Sequence, residues 1–288
     1  MDIAAGQVRE IAWSPGNFAP VAAASASRRY GPVPLVVSFS ARESADPEGE
    51  PLSYAWEFGD GATATGRDVQ HVYTSAGNRL VRLTVTDPGG RSAVALLPVS
   101  PGNTPPTIDL AAPVAGSLYR AGRRIELRAS ARDEEDGGLH DRAITWEAFL
   151  EHRGHTHYLL AGLKGSVAGF RVPADHSSDT FLTLTARAID SGGLTASETV
   201  SIRPRTAEVQ IGSAPSGAPV TFAGAHFSAP GTAPHAVGFE TVLSAVRSFE
   251  QDGVRYRFRR WSDGGARTHP VRVPRRGLSL RARYRPVG

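Results

Sequence analysis

Apolar and polar residues alternate with a period of two over short stretches along the whole chain. Val36-Val37-Ser38-Phe39-Ser40, Leu80-Val81-Arg82-Leu83-Thr84-Val85, Ile125-Glu126-Leu127-Arg128-Ala129 and Phe181-Leu182-Thr183-Leu184-Thr185-Ala186 are examples. Side chains along a strand point to opposite faces in turn, so this alternation predicts strands with one buried face. Gly, Pro, Asp and Asn separate the stretches, as turns require. No window of about a dozen residues holds a helical period, so almost no helix is expected. The predicted class is all-β, built from antiparallel strands.

The pattern repeats. One set of landmarks runs from Gly16-Asn17-Phe18-Ala19-Pro20 through Asp46-Pro47-Glu48-Gly49-Glu50 and a Trp56 strand to Thr86-Asp87-Pro88-Gly89-Gly90. A second runs from Gly102-Asn103-Thr104-Pro105-Pro106 through Asp133-Glu134-Glu135-Asp136-Gly137 and a Trp146 strand to Ile189-Asp190-Ser191-Gly192-Gly193. The same landmarks in the same order predict one sandwich fold used twice, each with a tryptophan in its core. After Arg203-Pro204-Arg205 the landmarks stop. The expected organisation is a tail over 1–15, sandwiches over 16–101 and 102–206, and a different β-domain over 207–288. In the last, strands are expected near 207–212, 218–223, 240–247, 254–261, 268–273 and 278–284.

Composition narrows the classes. A chain of 288 residues with 40% hydrophobic and 21% charged residues can bury several cores and is not disordered. Its 31 glycines and 21 prolines suit a turn-rich fold, and the lack of cysteine excludes disulfides, thiolate metal sites and cysteine nucleophiles. No apolar run approaches a membrane span. Met1 is followed by neither a basic stretch nor an apolar signal core, which suggests that the front of a larger protein precedes these residues. The net charge of +4 invites a nucleic-acid partner. However, Lys164 is the only lysine among the 32 basic residues, as GC-rich codon usage would give. The charge is also uneven, about +7 over 207–288 and −3 before it. No nucleic-acid fold motif accompanies it, so no specific nucleic-acid partner is expected.

Residues 16–101 resemble a PKD domain, an Ig-like sandwich common on bacterial exoenzymes. Trp56-Glu57-Phe58-Gly59-Asp60-Gly61, His71-Val72-Tyr73, Gly77 and Val81-Arg82-Leu83-Thr84-Val85-Thr86-Asp87 carry the resemblance, with Glu57 where the family usually has Asp. Trp56, Phe58, Tyr73, Leu83 and Val85 are the expected core, and Asp60 reads as a turn former rather than a catalytic acid. The wider arrangement resembles the C-terminal region of secreted glucose/sorbosone dehydrogenase-like quinoproteins, with a second Ig-like domain, a histidine-rich insert and a Trp261-Ser262-Asp263-Gly264-Gly265 module. Gly6–Trp13 resembles the closing strand of that family's catalytic propeller. The propeller itself is absent, so no quinone site carries over. Trp13 would pack on the first sandwich in a complete protein and lie exposed in a fragment.

Three constellations could carry chemistry. The resemblance implies that calcium could bind near the entrance of the PKD domain, at Asn17, Asp46, Glu48 and Asp87. The repeat offers Asn103, Asp133, Glu135 and Asp190 in the second copy. Calcium takes six to eight oxygen ligands, and these residues lie in loops and strand ends that supply them. The alternative is that they simply form turns. The insert His152-Arg153-Gly154-His155-Thr156-His157-Tyr158 puts His155 and His157 on one strand face, with His176 in a later loop. These imidazoles could hold a transition metal or, with Tyr158, line a ligand groove; the alternative is a solvated hairpin. Lastly, Arg255-Tyr256-Arg257-Phe258-Arg259 and Arg281-Ala282-Arg283-Tyr284-Arg285 predict an arginine-studded sheet face that could take polyanions; the alternative is a solvated strand face. No nucleophile elbow, phosphate loop or His-Glu-x-x-His motif occurs.

The expected function is a non-catalytic, monomeric accessory region in an extracellular or periplasmic protein. It would attach or space an N-terminal catalytic domain at a polysaccharide or cell-surface glycan. Support of a quinoprotein propeller and a ligand-free spacer are the alternatives.

Overall fold

The structure, a computed structural model, describes residues 16–152 and 154–287. The possible propeller strand over 6–13, with Trp13, lies outside the described residues, as does Arg153. The protein is all-β: among the described residues the regular elements are strands apart from one 3-10 turn at Asp141–Ala143. The chain divides into two compact units, Met1–Thr104 and Pro105–Gly288.

In the first unit, a three-stranded sheet (Ser25–Ala26, Leu35–Ser40, Asp68–Tyr73) faces a five-stranded one. The latter runs in the order Tyr30–Gly31, Ser92–Pro101, Arg79–Thr86, Ser53–Glu57, Thr63–Thr65. Alternation sets the core: Leu35, Val37 and Phe39 are buried while Val36 is exposed. Trp56, Phe58, Tyr73, Leu83 and Val85 are all buried with them, as expected. Phe39 sits 5.6 Å from the Trp56 ring and 5.2 Å from Phe58. Burying a side chain of this size contributes roughly 1.5–3 kcal/mol, so this cluster carries much of the unit's stability. Gly59 has φ +79°, and a Cβ there would lie 3.0 Å from the Leu80 carbonyl oxygen, which explains the glycine before Asp60.

The second unit holds two further cores. Its first sandwich repeats the topology of the first unit. Leu118–Tyr119 pairs in parallel with the end of Thr195–Pro204, as Tyr30–Gly31 does with Ser92–Pro101. The sheet continues through Thr180–Ile189 and Ile144–His152 to His155–Lys164. Opposite lie Thr107–Ala112, Arg124–Asp133 and Val167–Arg171. The repeated landmarks therefore mark a repeated strand order. The C-terminal sandwich packs Gly231–Ala236, Thr206–Ala214, Leu278–Pro286, Val254–Trp261 and Ser248–Gln251 over a four-stranded sheet.

The expected strands of that region are present. Three more occur, at Ala225–Ser228, Gly231–Ala236 and Ser248–Gln251. Two of them close tight hairpins through Ala223-Gly224 and Asp252-Gly253, all four residues having positive φ. Asp-Gly is a strong hairpin signal that could have revealed Ser248–Gln251. Gly231–Ala236 contains Pro234 and is an edge strand, where proline is tolerated.

The two sandwiches of the second unit share backbone. Ala121 belongs to the first of them by sequence but lies in the core of the other. Its amide donates to the Val237 carbonyl at 3.0 Å, and the Glu240 amide donates to Ala174 at 2.7 Å. Gly238 has φ +92°, and a Cβ there would strike the Ala121 carbonyl, so only glycine permits this approach.

Candidate functional site

The histidine insert forms the tip of a hairpin. His152 stands opposite His155, and Leu150 opposite His157. Because alternate residues share a face, His152, His155 and His157 gather on one side. The Nε2 atoms of His152 and His157 lie 3.1 Å apart, and the His155 ring centroid is 3.9 Å from that of His152. His176 arrives from the loop before Thr180–Ile189, its ring 4.8 Å from His157. The Asp175 carboxylate holds His176 Nδ1 at 2.8 Å. Among the described residues, His152, His157 and His176 form the one group of three His, Cys, Asp or Glu side chains whose ligand atoms all lie within 4.8 Å of one another. Desolvation lowers the His152 pKa, and repulsion from His155, His176 and His157 lowers it further, against a smaller raising by Asp179. Tyr158 does not join them. It lies on the other face, 4.8 Å from the Phe149 ring, so the groove of imidazoles with Tyr158 is corrected to a cluster of imidazoles alone. Position 158 follows 157 on the strand, and the pleat turns it away.

A cleft of about 970 Å³ begins at this cluster. Its walls include His152, His176, Phe227 and His235. Ser177 Oγ lies 2.7 Å from His235 Nδ1, and Ser178 Oγ donates to the Pro234 carbonyl at 2.8 Å, joining the two sandwiches of the second unit along its floor.

Local hydrogen bonds tie parts of the acidic set of the first unit together. The Phe18 amide donates to Glu48 Oε2 at 3.3 Å, and Asp46 Oδ1 accepts the Glu48 and Glu50 amides. The Asn17 amide lies so close to Gly89 that a Cβ there would strike it, and Asp87 Oδ1 accepts the Arg91 amide at 2.9 Å. Asn17 Oδ1, Asp46 Oδ2 and Asp87 Oδ2 are buried without a hydrogen-bond partner. Buried polar atoms are rarely left unpaired, so each of these three oxygens lacks a partner it would ordinarily have. The second set differs. Asn103 falls in the first unit, where its carbonyl accepts the Gly31 amide. Asp133, Glu135 and Asp190 belong to the second unit. Asp133 Oδ1 accepts two loop amides while its Oδ2 has no partner, and Asp190 Oδ1 accepts the Leu194 amide. Asp136, absent from the expected set, binds Ser191 through both carboxylate oxygens.

The arginine strands pair. Leu278–Pro286 and Val254–Trp261 are antiparallel, with Arg257 opposite Arg285 and Arg260 opposite Arg283. A bulge after Phe258 leaves both Arg259 and Arg260 exposed. Arg259, Arg260, Arg281 and Arg283 line a cleft of about 480 Å³. None of the four has a salt-bridge partner among the described residues. Like charges placed directly opposite destabilise a sheet, so this face carries a cost that an anion would relieve.

Asp60 forms a turn, as expected. Its Oδ1 accepts the Ala62 amide at 3.1 Å, and its Oδ2 lies 2.7 Å from His71 Nε2.

Comparison with known proteins agrees with the first unit. The PKD domain family model matches residues 17–97, and this part of the chain is a PKD domain. A microbial collagenase of Vibrio alginolyticus is 42% identical over 79 residues, 27% of this chain and 10% of that protein. The pre-pro-metalloprotease PrtV of Vibrio cholerae is 39% identical over 87 residues, 30% of this chain and 9% of that protein. The PKD1 domain of Vibrio anguillarum Epp is a similar solved structure, with 35% identity, TM-score 0.27, and 30% of this chain against 95% of that one covered. The match thus spans about a tenth of the curated relatives. The two curated relatives are named a collagenase and a metalloprotease, and the resemblance to a sugar dehydrogenase finds no support among them. No described helix is long and apolar enough to cross a membrane.

Proposed function

We propose that this chain is the non-catalytic accessory region of a secreted enzyme, and that it holds the catalytic domain at an acidic polysaccharide. Two observations support the role. A PKD module recurs in proteases as a small part of a much longer chain. On the face of the C-terminal sandwich, Arg259, Arg260, Arg281 and Arg283 have no carboxylate partner among the described residues, and the cleft they line carries the reading. Guanidinium groups bind carboxylate and sulfate oxygens through paired hydrogen bonds, which suits a uronate or sulfated chain. The sugar-dehydrogenase parent rests on the wider resemblance of the sequence. The test is retention of the full chain on resins bearing heparin, polygalacturonate or neutral cellulose. Retention on the two acidic resins and flow-through on cellulose is expected. Flow-through on all three, or equal retention on cellulose, overturns the reading.

Calcium belongs to the same proposal. Asn17, Asp46 and Asp87 would hold the ion through their unpartnered oxygens, with Glu48 beside them, and stiffen the entrance of the PKD domain. Calcium should raise the melting temperature of the first unit and chelator should lower it, with Asp46→Asn abolishing the difference. Equal melting temperatures in calcium and chelator would exclude the site.

A further inference from the structure

We infer that His152, His157 and His176 form a zinc site that clips the hairpin tip to the loop bearing Ser177 and Ser178. The geometry is that of a ligand set. In a tetrahedral site with Zn–N bonds of about 2.0–2.1 Å, two nitrogens lie about 3.3 Å apart. The His152 and His157 Nε2 atoms are 3.1 Å apart, and an ion between them needs only a small outward shift. The third nitrogen falls within 4.8 Å of both. Asp175 takes Nδ1 of His176 at 2.8 Å, which leaves Nε2 as the ligand atom. A carboxylate fixing the far nitrogen of an imidazole is the usual outer partner of a zinc-bound histidine. His155, with its ring 5.1 Å from that of His157, lies beside the set but outside the three whose ligand atoms all fall within 4.8 Å of one another.

The lack of carboxylates among the three ligands disfavours calcium and magnesium, which take oxygen. Imidazole suits zinc and copper. The position gives the site its consequence. Residues 175–180 bond to the C-terminal sandwich through Ser177 and Ser178 and to Tyr119 through Thr180. An ion on His176 would therefore lock this loop between the two sandwiches and fix one wall of the large cleft.

The experiment is titration of the untagged full chain with zinc chloride by calorimetry, paired with melting curves. One ion per chain and a higher melting temperature of the second unit are expected. His157→Ala and His176→Ala should each weaken binding about 100-fold or more, and Asp175→Ala about 10–100-fold, as loss of an outer partner does. His140→Ala, an exposed histidine outside the cluster, should leave binding unchanged. The visible spectrum of the cobalt-loaded chain should report tetrahedral coordination, lost in His157→Ala. Circular dichroism of each variant shows whether it folds; an unfolded His157→Ala is replaced by His157→Gln. No stoichiometric zinc binding, or binding unaffected by the cluster variants, overturns the site.

Discussion

Single residues decide more here than composition does. Asp60 looked like a turn former, and it is one, but it also meets His71 at 2.7 Å. His71 in turn stacks on Phe58 at 4.3 Å, so the polar pair is tied to the core. Burial pushes the Asp60 pKa up, but the His71 hydrogen bond, the Ala62 amide and the His71 charge together hold it below the ordinary carboxylate range. A carboxylate depressed in the folded state adds stability above its unfolded value of about 3.9, and that contribution fades as pH falls through the folded value. Urea unfolding of the wild type and Asp60→Asn should therefore differ most near neutral pH and converge below about pH 4. A gap that stays constant from neutral to acid pH would mean that the ionised Asp60 carboxylate adds nothing. Asp263 repeats the device, bonded to His269 at 3.0 Å and to the Gly265 amide. Sequence marked Asp60 as a turn. Its partner, eleven positions on, comes from another strand, and local pattern cannot show that.

At the scale of elements, one tryptophan anchors each of the three cores in the same way. Trp56, Trp146 and Trp261 are almost fully buried, and their Nε1 atoms donate to the carbonyls of Gly66, Gly165 and Arg267. Each bond ties a central strand to a nearby turn. Trp146→Phe keeps an aromatic ring but leaves the Gly165 carbonyl unpaired and a space beside it. Loss of about 1–3 kcal/mol of stability in the second unit is expected from denaturant unfolding. A change below about 0.5 kcal/mol, as at an ordinary surface site, would remove the tryptophan bond from the account. The strands themselves were legible because alternation and turn residues act locally. Ser248–Gln251 was missed although Asp252-Gly253 announced it, and Gly231–Ala236 because an edge proline breaks the pattern. The histidine site was half legible. Strand geometry puts His155 and His157 on one face, but hairpin register brings in His152, and tertiary packing delivers His176 with Asp175.

At the scale of the molecule, a modest net charge hides a divided one. The C-terminal sandwich gathers arginine on one face, where cross-strand register sets Arg257 against Arg285 and Arg260 against Arg283. Alternation in the sequence foretold the face; the bulge that exposes both Arg259 and Arg260 was not foretold, because a register shift depends on the partner strand. The PKD family match covers residues 17–97, and in the proposed role it is the arginine face of the C-terminal sandwich that binds. The most direct measurement is the affinity of the full chain for a defined acidic oligosaccharide at about 50 and about 300 mM salt, beside the Arg281→Ala/Arg283→Ala variant. Exposed charges are screened beyond a Debye length of about 10 Å at 0.1 M salt, so wild-type binding should weaken steeply with salt. The variant should bind at least about 10-fold more weakly at low salt, a difference of about 1.4 kcal/mol, and depend less on salt. Affinity that is indifferent to salt, or equal in the variant, would contradict the claim that this face attaches the protein to its surface.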